Sequence, residues 1–485
     1  MHESEPFVSE LLRGLPDTIK LLEPHQVHSF YESVGHMIGA EADPQKRDEY
    51  TRRLMALPNS TWQQLMAAAA ANPETLKSPD AIRSVANILQ TNTAACSSLG
   101  QPFATQVALI YTDVLLVYRL YSEFTSALIA TGGPYASRTS QVKALRSVKR
   151  EVLRFIETFV EQCKDPELVA TQLVPPALDP ILGDYARNVP DARDPEVLSL
   201  FGAIINKCGP QLMGSVPRIF EAVFECTLQM ITRDFESYPE HRLRFFGFLR
   251  AVATRCFLAL FALPPQHLQL VMDSIVWAFR HTERNVAETG LALLVDLLHS
   301  FAKSEHCAAF FQRYYLSITQ EVFAVMTDSF HKPGFKMHAH ILQLLFDLVE
   351  PSDPGGALGG AGTGGEPFLR APLWDVASLG PSAFPSNAAF VRQHVTQLLA
   401  QSFPNMAAPQ VGAAVKGMFE TKKDFTTFKN HLRDFLVQTK SFSSGDNREL
   451  YAEEQAAAER ARKAAVPGML GQYDVSIPDD GMADG

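Results

Sequence analysis

Apolar residues recur along this chain at helical intervals and almost never in alternation. Val107, Ile110, Tyr111, Val114, Tyr118 and Tyr121 fall at i, i+3, i+4, i+7, i+11 and i+14, which places them on one face of a long helix. Leu294, Leu297, Leu298 and Phe301 repeat the pattern, as do Leu268, Val271, Ile275 and Phe279, and Phe220, Phe224 and Leu228 keep a four-residue rhythm that Ile231 closes with a step of three. No segment convincingly shows the period of two that marks a half-buried strand. The pattern therefore predicts an all-α chain.

Proline sets the element lengths. Many of the 31 prolines sit where a first helical turn is expected, a place where the missing N–H costs nothing. Ser78-Pro79 and Asp194-Pro195 pair a capping oxygen with such a proline, and Pro24, Pro102, Pro217, Pro239 and Pro265 look similar. Starts at 195, 217 and 239 are evenly spaced, with the next near 265 and 283. A helix pair then takes about 44 residues, within the roughly 40–47 of HEAT or armadillo units, which bury their apolar faces only by stacking. The predicted architecture is an α-α superhelix, a solenoid of HEAT-like repeats with about nine helix pairs.

The solenoid is expected over 1–350 and again, as terminal repeats, over 387–445. Between them, 351–386 reads as a Gly/Pro-rich loop insert, with seven glycines in 351–366. A C-terminal helix is expected at 446–465 and an acidic disordered tail at 466–485. Separate helices are expected at 45–56 and 59–71, and a single one over 166–187.

Composition narrows the chemistry. The 43 Lys+Arg against 53 Asp+Glu give a formal charge of −10, the opposite of a dedicated nucleic-acid binder. The six cysteines, at 96, 163, 208, 226, 256 and 307, are widely scattered; none has metal or redox spacing, and they read as reduced, mostly buried thiols. The N-terminus lacks the pattern of a signal peptide, and the most apolar run, Cys256 to Leu263, is far shorter than the roughly 18 residues a membrane span needs. The glycine-rich insert has no preceding strand and no Lys-Ser/Thr pair, so it reads as a surface linker rather than a phosphate cradle. His338 and His340 are two apart on a predicted helix and point to different sides, which speaks against a shared metal. No catalytic motif and no cofactor motif is present.

Two charge features remain. Lys143, Arg146, Arg150 and Arg154 fall at i, i+3, i+7 and i+11 with Lys149 beside them, a basic stripe expected either as a solvated face or as a docking strip for an acidic protein surface. Opposite in sign, residues 446–485 hold nine acids and four bases, and beyond Lys463 the charges are Asp474, Asp479, Asp480 and Asp484 alone. The tail is expected to be a solvated segment or an intramolecular competitor for basic surface.

Eight segments stand in order along the chain: Glu23-Pro24-His25-Gln26-Val27-His28-Ser29-Phe30-Tyr31-Glu32-Ser33-Val34-Gly35, Arg187-Asn188-Val189-Pro190, Asp194-Pro195-Glu196-Val197-Leu198, Phe220-Glu221-Ala222-Val223-Phe224-Glu225-Cys226-Thr227-Leu228, Tyr238-Pro239-Glu240-His241-Arg242, Ile275-Val276-Trp277-Ala278-Phe279, Arg284-Asn285-Val286-Ala287 and His431-Leu432-Arg433-Asp434-Phe435-Leu436-Val437-Gln438. Together they resemble the exportin-1 family of karyopherin-β nuclear export receptors. The resemblance runs from about Glu5 to Gly468 and covers the C-terminal half or slightly less of that family; the glycine-rich insert and the segment after Gly468 depart from it. It implies a receptor, not an enzyme, that shuttles between nucleus and cytoplasm. Such a receptor carries leucine-rich export cargo with GTP-bound Ran past Phe-Gly nucleoporins, without contacting nucleic acid or membrane directly.

The export-signal groove and the N-terminal Ran-binding region of that family are not matched here. The abrupt start at Met-His-Glu-Ser carries the expectation that a piece has been lost. The basic stripe carries the further expectation that Lys143, Arg146 and Arg150 face Ran, and the family implies that the last helix with the tail biases the cargo-free form. A general HEAT scaffold subunit would fit the periodicity alone equally well.

Overall fold

In the computed structural model the described residues are 7–233, 236–260, 263–350, 358, 367–438 and 448–451. Among them every regular element is helical and no strand occurs. The chain divides into two compact units, 1–274 and 275–485.

The first unit holds α1 (Phe7–Ile19), α2 (Pro24–Gly39), α3 (Pro44–Ala71), α4 (Pro79–Leu99), α5 (Ala104–Gly132), α6 (Ser140–Gln162), α7 (Val174–Arg187), α8 (Glu196–Cys208), α9 (Val216–Ile231) and α10 (Pro239–Arg255). Contacts alternate with strict regularity. The even helices α2, α4, α6, α8 and α10 pack in series as one layer, and α1, α3, α5, α7 and α9 form the other. This is the two-layer stack of HEAT-like pairs, in which each apolar stripe is buried only by neighbouring repeats.

The six α5 residues singled out by periodicity are all buried. Long apolar segments are candidates for membrane spans by length and composition, and Gln101–Gly132 meets that test where a count of uninterrupted apolar runs did not; half of its most apolar window is packed inside the protein, as in a core helix.

Helix boundaries follow local chemistry. Ser78 caps α4, its Oγ accepting from the Ala81 amide at 3.2 Å, and Thr139 caps α6 through Val142. Two expectations are corrected. Residues 45–56 and 59–71 form one helix, α3, with Pro58 inside it; Leu54, Met55, Pro58 and Trp62 make one continuous buried stripe, and that packing carries the helix across the missing N–H. The segment 166–187 is interrupted by a π turn, Val169–Leu173, just before Pro175 and Pro176. The widened turn accommodates two residues that cannot donate to it.

α11 (Pro265–Phe279) contains the boundary between the units. The second unit contains α12 (Arg284–Ala302), α13 (Cys307–Met326), α14 (Phe335–Val349), α15 (Asn387–Ser402), α16 (Ala408–Thr421) and α17 (Phe425–Val437). α14 is its centre, packing on α12, α13, α15 and α17, and every residue from Ile341 to Val349 is buried.

Of the expected insert, 351–366 lies outside the described residues except for Leu358. Residues 367–386 are irregular apart from one helical turn, Val376–Leu379, capped by Asp375, and are well anchored: Asn387 donates to the carbonyls of Leu369 and Ala371 and accepts from the Leu373 amide, and Trp374 packs against Phe384 and Phe390. At the C-terminal end, Arg448–Tyr451 forms a short turn. The rest of the helix expected at 446–465 and the tail with Asp474, Asp479, Asp480 and Asp484 lie outside the described residues.

Candidate partner interface

The basic residues of α6 do not share a face. At about 100° per residue, Arg150 and Arg154 point within about 20° of Lys143, whereas Arg146 and Lys149 are turned from it by roughly 60° and roughly 120°. The structure follows this geometry. Lys143 and Arg154 are exposed and Arg150 is half-exposed, while Lys149 is buried.

Lys149 Nζ lies 2.6 Å from Asp184 Oδ2 and 3.1 Å from Asp194 Oδ2. Arg146 grips Asp194 Oδ1 with Nη2 at 2.8 Å and Nε at 3.0 Å, and donates to the carbonyls of Asp191 and Arg193. Asp184 also accepts from Tyr118 at 2.9 Å, from Ser122 and from Asn188 at 2.7 Å. Two cations thus meet two carboxylates in a closed network joining α5, α6, α7 and the 188–195 connection.

Burial works against the Lys149 charge, but Asp194 and Asp184 outweigh it and hold its pKa above the usual lysine value. Burial likewise opposes the Asp194 charge, and Lys149 and Arg146 together pull its pKa below the carboxylate range. The expectation that all five could share one outward face is therefore corrected: Arg146 and Lys149 are internal struts, and Lys143, Arg150 and Arg154 are what remains on the surface. Asp194 is corrected too. Instead of capping α8, it turns inward to these cations, and Pro195 takes the position before the helix.

On the other layer, a groove of about 510 Å³ opens between α5 and α7. Leu116, Pro176 and Pro180 supply its apolar wall, and Arg119, Asp179 and Arg187 rim it. Leu109, toward the start of α5, is exposed at 62%. Periodicity alone hid this groove, because Leu115 and Leu116 read as ordinary apolar positions of α5.

A second buried cation was also not legible as such. Lys422 Nζ lies 2.6 Å from Asp347 Oδ1 and 3.5 Å from Glu350, which also binds Arg392. Asp347 and Glu350 belong to the region of α14, far upstream of Lys422 in the chain, so no local spacing could announce the pairing.

Stacked helix pairs, internal ion pairs and an open groove between neighbouring helices define a HEAT-type helical-repeat protein. Among the described residues no three metal-binding side chains come together. Residues 106–444 match the family described as CRM1 C terminal. The chain is 55% identical over 485 residues to the protein EXPORTIN 1B of Arabidopsis thaliana, covering 99% of this chain and 43% of that relative. It is 40% identical to exportin-1 of Schizosaccharomyces pombe and 38% identical to exportin-1 of Drosophila melanogaster, each across 99% of this chain and 44% of the relative. The chain belongs to the exportin-1 (CRM1) family and corresponds to its C-terminal part, spanning less than half the length of these relatives.

Proposed function

We propose that this chain is the C-terminal part of a nuclear export receptor, which carries leucine-rich export cargo together with GTP-bound Ran and shuttles between nucleus and cytoplasm. The observation that carries this reading is the 55% identity to an exportin over essentially the whole chain. The chain acts by binding, not by catalysis. Its repeats stiffen the solenoid, the α5–α7 groove receives phenylalanines of Phe-Gly nucleoporins, and Lys143, Arg150 and Arg154 at the surface of α6 meet an acidic face of Ran by charge complementarity.

The test is a chimera in which this chain replaces the matching part of a full-length exportin-1. Rescue of leucine-rich cargo export is expected, and a chimera that folds but leaves cargo in the nucleus refutes the reading. Within the chimera, K143E/R150E/R154E should weaken Ran binding and flatten its salt dependence, and L116D should weaken binding of a Phe-Gly peptide. Unchanged affinities would remove those surfaces from the proposal.

A further inference from the structure

His299 and His340 meet across the contact between α12 and α14. Their ring centroids lie 6.2 Å apart with the planes tilted by 42°. Both side chains are half-buried, and their nitrogens, unlike those of His338, are not sealed away without a partner. Phe425, at the start of α17, packs edge to face on the His340 ring at 5.7 Å and limits its rotation. Gln343, one turn further along α14, hydrogen-bonds the same ring in the sense that favours its protonated form. The Gln343 oxygen is thus the acceptor for one ring N–H, and the second ring nitrogen keeps its lone pair.

We propose that His299 and His340 together bind one late first-row divalent metal ion, Zn²⁺ or Cu²⁺, whose remaining positions are filled by water.

Geometry comes first. Two imidazoles on one tetrahedral ion, each with an N–metal bond of about 2.0–2.1 Å, have centroids about 5 Å apart, widening to about 6 Å as the angle at the metal opens. The 6.2 Å seen here is within a small side-chain adjustment of that range. The protonation state agrees. Burial first, then His340 and Lys303, lowers the His299 pKa against the pull of Asp296. Burial also lowers that of His340, seconded by Lys336 and opposed by Gln343 and Asp347. Both rings are therefore neutral at physiological pH and offer the lone pair a metal needs. Gln343 supplies the outer hydrogen bond that commonly orients a ligating imidazole. Two imidazoles select zinc or copper over hard Mg²⁺ or Ca²⁺. Among the described residues no third histidine, cysteine or carboxylate joins the pair, so water completes the shell and the ion exchanges with solvent. One ligand from each helix would pin α12 to α14, the centre of the second unit.

The experiment titrates ZnCl₂, CuCl₂ and MgCl₂ into the whole chain, free of any polyhistidine tag, by calorimetry near neutral pH. Zn²⁺ should bind saturably at one site that H299Q/H340Q lacks, Cu²⁺ should bind there more tightly, and Mg²⁺ should give no response. Each single substitution, H299Q or H340Q, should weaken Zn²⁺ binding by more than about tenfold, beyond the loss that removal of an outer hydrogen bond causes. Circular dichroism checks that the variants fold. Spectra of the wild-type chain with ¹⁵N-labelled histidine give a readout that needs no variant: two ring signals should shift together on one saturation curve as Zn²⁺ is added. Unchanged Zn²⁺ affinity in H299Q/H340Q, or a loss confined to one of the two single substitutions, would place the ion elsewhere and overturn the proposal. A Mg²⁺ response equal to that of Zn²⁺, which would point to carboxylates, or ring signals that ignore Zn²⁺, would overturn it too.

Discussion

Replacing Lys149 by methionine removes a buried cation and keeps the length of its side chain. Asp194 would still hold Arg146 at 2.8 Å, and Asp184 would still accept from Tyr118, Ser122 and Asn188. Two carboxylates would then face one cation in a site from which water is excluded. Breaking such a pair costs about 3–5 kcal/mol. The figure follows independently from protonation. The cheapest relief is for one aspartate to take up a proton, and from pH 7, against a reference carboxyl pKa near 3.9, that costs about 4 kcal/mol at 1.36 kcal/mol per unit. At pH 5 the same step costs only about 1.5 kcal/mol. Urea unfolding of wild type and K149M, followed by circular dichroism at both pH values, should therefore show a penalty that shrinks by more than half on acidification. K149M/D184N, which removes the surplus charge, should recover most of the loss at pH 7. A penalty below about 1 kcal/mol, or one that is equal at the two pH values, would refute the assignment of Lys149 as a charged internal strut.

Further outcomes follow from single contacts. Glu157 on α6 has its pKa pushed up to about 7 by burial, aided by Glu161 and Glu196 and opposed by Arg244 and Arg154. A raised carboxyl pKa means that the folded state holds a proton the unfolded state has lost, so stability falls as pH rises from about 4.5 to 7; E157Q should raise the melting temperature at pH 8, by about 1 kcal/mol of stability after allowance for screening, and leave it unchanged at pH 4. Gly290 of α12 lies so close to α11 that a Cβ would stand 2.7 Å from Ala278 Cβ and 2.9 Å from the Phe279 amide nitrogen. G290A should destabilise the second unit by about 1–3 kcal/mol, and a neutral result in thermal unfolding would show that the helices can separate freely. Asp191 accepts from Arg138 at 2.9 Å and Tyr238 at 2.6 Å. Its pKa is held down by the Tyr238 bond first and then by Arg138 and Arg146, so this contribution is present above about pH 4 and lost as pH falls further, and D191A should make the unfolding midpoint less sensitive to acid in that range.

What the sequence disclosed depended on how local each signal was. Helix phase was legible because a buried stripe repeats every three or four residues, as in α5 and α12. Caps were legible where a short oxygen-bearing side chain met a free amide two or three residues on, as at Ser78. Asp194-Pro195 has the same look and behaves differently, because Arg146 and Lys149, a full helix and a half upstream, outbid the helix amides for its carboxylate. The α3 break at Pro58 was expected from backbone chemistry and overridden by tertiary burial. On α6 the basic stripe was visible in composition, but its division into struts and surface required the angular phase of each residue, which the periodic apolar positions Val142, Leu145, Val148 and Val152 already encode. His338 was read as an unremarkable histidine since nothing in Lys-Met-His-Ala-His-Ile shows that its ring is buried and packs closely on Gly334.

The polar contacts between repeats have a common purpose that apolar burial cannot serve. In a stack where each pair touches only its neighbours, hydrophobic faces tolerate sliding, because burial is proportional to area and indifferent to direction. Directional bonds are not. In the first unit they recur at both ends of the even helices. At one end, Arg138, Asp191 and Tyr238 link the turns that lead into α6, α8 and α10, and Tyr238 adopts a left-handed φ of 60° to take part. At the other, Lys207 of α8 donates to the carbonyls of Glu161 and Cys163 at 2.8 and 2.9 Å, closing the C-terminal end of α6 where unpaired carbonyls and the helix dipole favour a cation. Between these ends, Lys149 and Arg146 fasten α6 to the chain leading into α8. A helix held at its start, middle and end by bonds of fixed length cannot slip by a turn against its neighbour. Removal of the Arg138–Asp191–Tyr238 links by R138A/Y238F should therefore speed amide hydrogen exchange at the starts of α6, α8 and α10 while leaving the helical circular dichroism unchanged, and unaltered exchange there would refute the restraint.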